Sequence, residues 1–203
     1  MKCVSFLAVV ACLCGCALPG TGRAEFIITF SQVGTNVQAN GVGSINLSGL
    51  KFFVPDTGGG IVVPSAAVAL VGGSSMLDFY TVGSVTGPTS FGPGGQTLSS
   101  SDTGDAVEIE GDNGNILPSG TVVAVPHGYT SGMLSGQSTW DNTTISGLGL
   151  TPGTYEWTWA SDDLKVVVLA PATATPEPAS LTLLGFGAVG LLGYRWRRPR
   201  TSA

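Results

Sequence analysis

The chain has 203 residues, 43% of them hydrophobic and only 10% charged, with a net charge of −5 at neutral pH. Its four cysteines all lie within the first sixteen positions. An acidic chain of this kind disfavours nucleic acid and anionic membrane surfaces as partners. A cysteine-free remainder excludes disulfides, thiolate nucleophiles and cysteine-based zinc sites there.

Residues 1–24 read as a secretory signal, expected as a helix. Lys2 supplies the positive start, and residues 4–13 are an apolar run too short to span a bilayer. Cleavage after Ala24 uses Gly22 and Ala24 as the small residues and leaves Glu25 first. A rival reading is a lipoprotein box at Leu13-Cys14-Gly15-Cys16, with Cys16 lipidated.

Residues 25–170 are sized for one domain. They keep only Lys51 and Lys165 against twelve acids, a net charge of −10. No stretch sustains a 3.6-residue apolar period. Short β-rich runs recur between Gly, Asn, Pro and Ser. Strands are predicted near 26–31, 33–39, 42–48, 51–54, 60–63, 66–72, 76–82, 106–110, 121–125, 136–141, 153–160 and 164–169, with 87–104 a long loop. At Val107-Glu108-Ile109-Glu110 the alternation predicts acids facing water and aliphatics facing in. Asp162-Asp163 reads as the turn of a terminal hairpin. The fold expected is all-β, an antiparallel, jelly-roll-like β-sandwich.

Chemistry in this domain is sparse. His127 is the single histidine, and Gly128-Tyr129-Thr130-Ser131-Gly132 has the wrong spacing for a nucleophile elbow. It reads as a solvent-facing turn histidine, and no enzyme activity is expected. Asp102, Asp105 and Asp112 head an acidic run that offers oxygen ligands for Ca²⁺, though not at EF-hand spacing. The competing reading is a solvated acidic edge, and no other cofactor is expected. Trp140, Trp157 and Trp159 are candidates for a sugar-stacking platform, against the commoner reading of alternating aromatics as sandwich core.

Residues 171–178 form a stiff, Pro-rich linker ending in Pro176-Glu177-Pro178. Residues 179–194 are uncharged and predict a single transmembrane helix. At about 24 Å it is short against a hydrocarbon core of about 30 Å. Residues 195–203 are a basic tail in which Arg195, Arg197, Arg198 and Arg200 act as a membrane stop. The positive-inside rule places them in the cytoplasm and the preceding domain outside the inner membrane.

The order Pro176-Glu177-Pro178, apolar helix, arginine cluster resembles the PEP-CTERM sorting signal of Gram-negative bacteria. That resemblance implies export through the Sec machinery, a transient stay in the inner membrane, and processing near the Pro-Glu-Pro by exosortase, a membrane cysteine peptidase. The product would be released toward the cell surface, the extracellular matrix or a biofilm. Phe91-Gly92-Pro93-Gly94-Gly95, Val125-Pro126-His127-Gly128-Tyr129 and residues 148–155 with the following Trp-x-Trp pair are similar to a recurrent PEP-CTERM ectodomain. Gly104-Asp105 and Ser131-Gly132 belong to the same likeness. No activity is implied by it. The function expected is a non-enzymatic exported surface or matrix protein. The alternatives are an exopolysaccharide-binding module and a secreted hydrolase.

Overall fold

The computed structural model describes residues 25–82, 85–111, 120–172 and 180–197. The chain divides into two units, Met1–Leu169 and Ala170–Ala203.

The first unit is built from short strands. They are β1 (Glu25–Val33), β2 (Asn36–Gly43), β3 (Lys51–Gly58), β4 (Ile61–Val63), β5 (Val68–Val71), β6 (Ser75–Val82), β7 (Thr97–Leu98), β8 (Ser101–Gly104), β9 (Val107–Glu110), β10 (Thr121–Pro126), β11 (Leu134–Trp140), β12 (Gly153–Trp159) and β13 (Asp162–Val168). They form two sheets. The first has the order β12-β13-β1-β2-β11-β8 and the second β3-β6-β10-β9-β5-β4-β7.

The sheets pack face to face because alternation gives each an apolar side. Phe26, Ile28, Phe30, Val37 and Ala39 from the first share one buried cluster with Ala69, Val71, Val107, Ile109, Val123 and Val125 from the second. Pairing is antiparallel with one exception. β1 runs parallel to β13, in register from Glu25↔Asp163 to Phe30↔Val168. The expected hairpin of β12 and β13 is present, but its turn lies at Ala160-Ser161. Asp162 and Asp163 are not the turn. They open β13 as buried residues, Asp162 accepting the Asn46 N–H at 2.6 Å and Asp163 facing Lys165 Nζ at 3.2 Å.

Two further expectations are corrected. No strand fills 42–48 beyond the end of β2. Asn46 and its neighbours form a loop pinned by side chains, with the Ser48 N–H on Asn46 Oδ1 and the Trp159 indole on the Asn46 carbonyl. The segment 87–104 contains the edge strands β7 and β8, which add to the ends of the two sheets.

The second sheet is also packed on its other face. β3 and β4 stand almost at opposite edges of that sheet, yet only Gly59 and Gly60 join them. The sheet must therefore curl until its edges meet. Inside the curl lies a second cluster of Leu70, Leu77, Ala106 and Ala124, with Ile61 and Phe79 against it. The joint is held by β8. Asp102 Oδ2 accepts the Gly60 N–H at 3.3 Å and the Ser99 hydroxyl at 2.7 Å. A Cβ at Gly60 would lie 2.0 Å from Asp102 Oδ1, so only glycine fits.

This curl overturns the expectation for β9. The alternation is present, but Glu108 and Glu110 do not face water. They are 6% and 2% exposed. Val107 and Ile109 enter the main core while Glu108 points to the enclosed face.

In the second unit, α1 spans Ser180–Arg197. The transmembrane helix expected over 179–194 is corrected on one point. No helix among the described residues is long and apolar enough to cross a membrane. The uncharged part of α1, residues 180–194, rises about 22 Å, against a hydrocarbon core of about 30 Å. Arg195 and Arg197 fall inside the helix itself.

Candidate functional site

The three tryptophans nominated for sugar stacking are core residues. Trp140, Trp157 and Trp159 are 2%, 0% and 4% exposed. Each indole N–H is spent inside the fold, on the carbonyls of Thr97, Pro88 and Asn46 at 3.1–3.2 Å. Phe30 packs against Trp140 with ring centroids 5.7 Å apart, and Phe91 meets Trp157 edge-on at 6.5 Å. Neighbouring rings pack on Trp140 and Trp157, and Trp159 is buried as well, so the platform reading is corrected. Their strands put them on the inward side, where large aromatic area is buried.

The nominated acids have local structural partners. Asp102 holds the Gly59-Gly60 joint. Asp105 Oδ2 accepts the Ser135 N–H at 2.9 Å. Asp112 lies outside the described residues. Among the described residues no group of three or more His, Cys, Asp or Glu side chains is placed to hold a metal ion.

In α1 the apolar side chains cover every side. Leu183, Leu184, Phe186, Val189, Leu191, Leu192 and Tyr194 are all 62–75% exposed. Space is open around Gly185, Gly187, Gly190 and Gly193. A helix without a polar face has no side to turn toward water. Arg195 and Arg197 fall in its last turn. Pro176, Glu177, Pro178, Arg198 and Arg200 lie outside the described residues, as do residues 1–24 with Cys16 and the Ala24 cleavage position.

The family described as the PEP-CTERM protein-sorting motif matches residues 174–198. This is a PEP-CTERM protein. No curated protein and no solved structure gives a significant match to the chain. The motif takes in Pro176-Glu177-Pro178, all of α1 and the arginines through Arg198. It makes the PEP-CTERM protein an exported substrate of exosortase that passes through a membrane-anchored intermediate.

Two arrangements in the β-unit of this PEP-CTERM protein were not foreseen. His127 is exposed, as expected for a turn, but Nδ1 sits 2.7 Å from Asp78 Oδ1. Asp78 Oδ2 accepts the Gly128 N–H at 2.9 Å. That backbone bond and then the imidazole hold the Asp78 carboxyl below its ordinary range. The pair closes the end of β10 onto β6, where the His127 N–H also bonds the Met76 carbonyl. Forty-nine residues separate the partners, and nothing in the local sequence links them.

The other is a cavity of about 350 Å³ on the enclosed face of the second sheet, with Glu108 in its wall. Burial, then the charges of Glu110 and Asp56, push the Glu108 carboxyl up to about 8. On β13 of the first sheet Lys165 forms ion pairs with Glu25, Asp163 and Glu156. Its ammonium is held well above the usual lysine range, chiefly by the Glu25 and Asp163 bonds.

Proposed function

We propose that this chain is a non-enzymatic surface or extracellular-matrix protein whose C-terminal signal serves as a removable handle. The observation carrying the reading is the sorting motif at 174–198, attached after Leu169 to a separately packed β-unit. On this reading the Sec machinery exports residues 25 onward and the arginines stay cytoplasmic. Exosortase then cuts near Pro176-Glu177-Pro178 and frees the jelly-roll-like domain. The shortness of the uncharged helix suits a transient stay better than a lasting anchor. The delivered domain requires no cofactor for this role, although a Ca²⁺-bound form remains a separate, testable reading of its acidic run.

The exopolysaccharide-binding alternative has no support from Trp140, Trp157 or Trp159, which are buried. The hydrolase alternative would need a nucleophile beside His127, and that ring pairs instead with the Asp78 carboxylate.

Intact mass of the protein from culture medium and from membranes tests the proposal. A released form ending near residues 176–178 is expected, along with its accumulation in membranes when Glu177 is replaced by alanine. Finding only forms that keep residues through Ala203, with no released form ending near 176–178, would sink it.

A further inference from the structure

The cavity inside the curled second sheet has apolar walls from Ile61, Leu70, Phe79 and Leu98, and its acids are Glu108 and Asp56. Glu108 is 6% exposed. Its carboxyl is raised by burial and by neighbouring acids. Across the strand register it faces Leu70 of β5 and Ala124 of β10, neither of which can carry charge. The charged groups acting on it are Glu110 from its own strand and Asp56 from β3, both acidic. No basic residue lines the cavity.

A carboxylate buried among other acids is costly, and it relaxes by staying protonated or by meeting a cation. A hydrated metal ion suits this space poorly. It wants six or more oxygens, and most of the wall is hydrocarbon. An anion would meet only acids.

We propose that the cavity is a binding site for a small organic ammonium with an apolar body. The body lies against Ile61, Leu70, Phe79 and Leu98, and the ammonium pairs with Glu108 under the negative field of Asp56 and Glu110. Below pH 8 the free carboxyl is mainly protonated. Binding of the cation therefore expels that proton to solvent and leaves an ammonium–carboxylate pair. No covalent bond forms or breaks beyond the O–H.

Benzylammonium is a suitable probe, with benzyl alcohol as its uncharged counterpart. Both are titrated calorimetrically into the full chain in a nonionic detergent. The same detergent without protein supplies the background for partition into micelles. With Glu108 near 8, the ionised fraction rises about 50-fold from pH 6 to pH 8, and benzylammonium affinity should rise with it. At pH 7, heats in two buffers of different ionisation enthalpy should report release of about one proton per ligand. Glu108→Gln should weaken binding at pH 8 more than tenfold and flatten its pH dependence. Equal affinity for benzyl alcohol, absence of proton release, or no saturable benzylammonium binding each overturns the proposal. The proton count needs no variant, so it decides the matter even if Glu108→Gln fails to fold.

Discussion

The β-unit and α1 are both rich in aliphatic and aromatic residues, yet they treat them in opposite ways. In the β-unit, Phe26, Ile28, Phe30 and Trp157 are wholly buried, because period-two alternation collects them on one side that a second sheet covers. In α1, Leu184, Phe186 and Leu191 are at least 70% exposed, because the apolar residues go all the way round. Apolar content alone does not make a core. What matters is whether the pattern leaves a wet side for the element to keep. The β-unit has one and behaves as cargo. The helix has none and behaves as an address for a non-aqueous surface, which agrees with the sorting motif that contains it.

The contrast can be broken most forcefully at Trp157. Trp157→Ala removes a fully buried indole and its bond to Pro88, and should cost about 3–5 kcal/mol. That is comparable with the whole stability of an ordinary domain. Loss of the cooperative thermal transition would be the readout.

Glu108→Gln should act next, and in the opposite direction. The folded carboxyl is raised from 4.5 to about 8. Between those values the native state holds a proton that the unfolded chain has lost, so stability falls as pH rises through that window. Glu108→Gln should flatten this decline and raise Tm at pH 8, by at most about 5 kcal/mol of stability. Denaturant melts at pH 5 and pH 8 give the comparison; parallel pH slopes in the two proteins would show that Glu108 is not held in the enclosed face.

Asp78→Asn should have a smaller effect, confined to acid. Its folded pKa is depressed, so its contribution is present above the unfolded value near 3.8 and disappears as pH falls through the folded value. The substitution should cost about 1 kcal/mol or less at pH 7, since the His127 ring is exposed. It should also remove part of the stability loss below pH 4, measurable by acid titration of near-ultraviolet circular dichroism.

Leu184→Ala should leave the melt of the β-unit within about 0.5 kcal/mol, as for other exposed positions. A larger shift would mean that α1 contributes to folding of the cargo.

Much of the strand pattern was legible because alternation is a local signal. β1, β6, β10 and β12 fall close to their predicted spans for that reason. The faces were less legible. At β9 the period was right and the solvent side wrong, since what closes over Glu108 is the Gly59-Gly60 joint some fifty residues upstream. Trp140, Trp157 and Trp159 fit the core reading once the second sheet is known to cover them. Asp162 and Asp163 looked like turn residues by type, but their partners, Asn46 and Lys165, give them reasons to be buried. His127 could be placed at a strand end from its neighbours, whereas its bond to Asp78 depends on two strands meeting in space. The sorting segment was the most readable part, because its order of parts is contiguous in sequence.

The parallel seam between β1 and β13 has a consequence for how the chain is made. Among the described strands, β1 is made first and must wait for β13, made last, before its hydrogen bonds on that side are filled. A nascent chain halted before Asp162 leaves β1 as an unpaired edge, which invites pairing with other chains or attack by proteases. Completion of the fold thus reports that translation has reached the threshold of the tail. The handle at 174–198 follows β13 in the chain, so a chain that carries it also carries the strand that closes this seam.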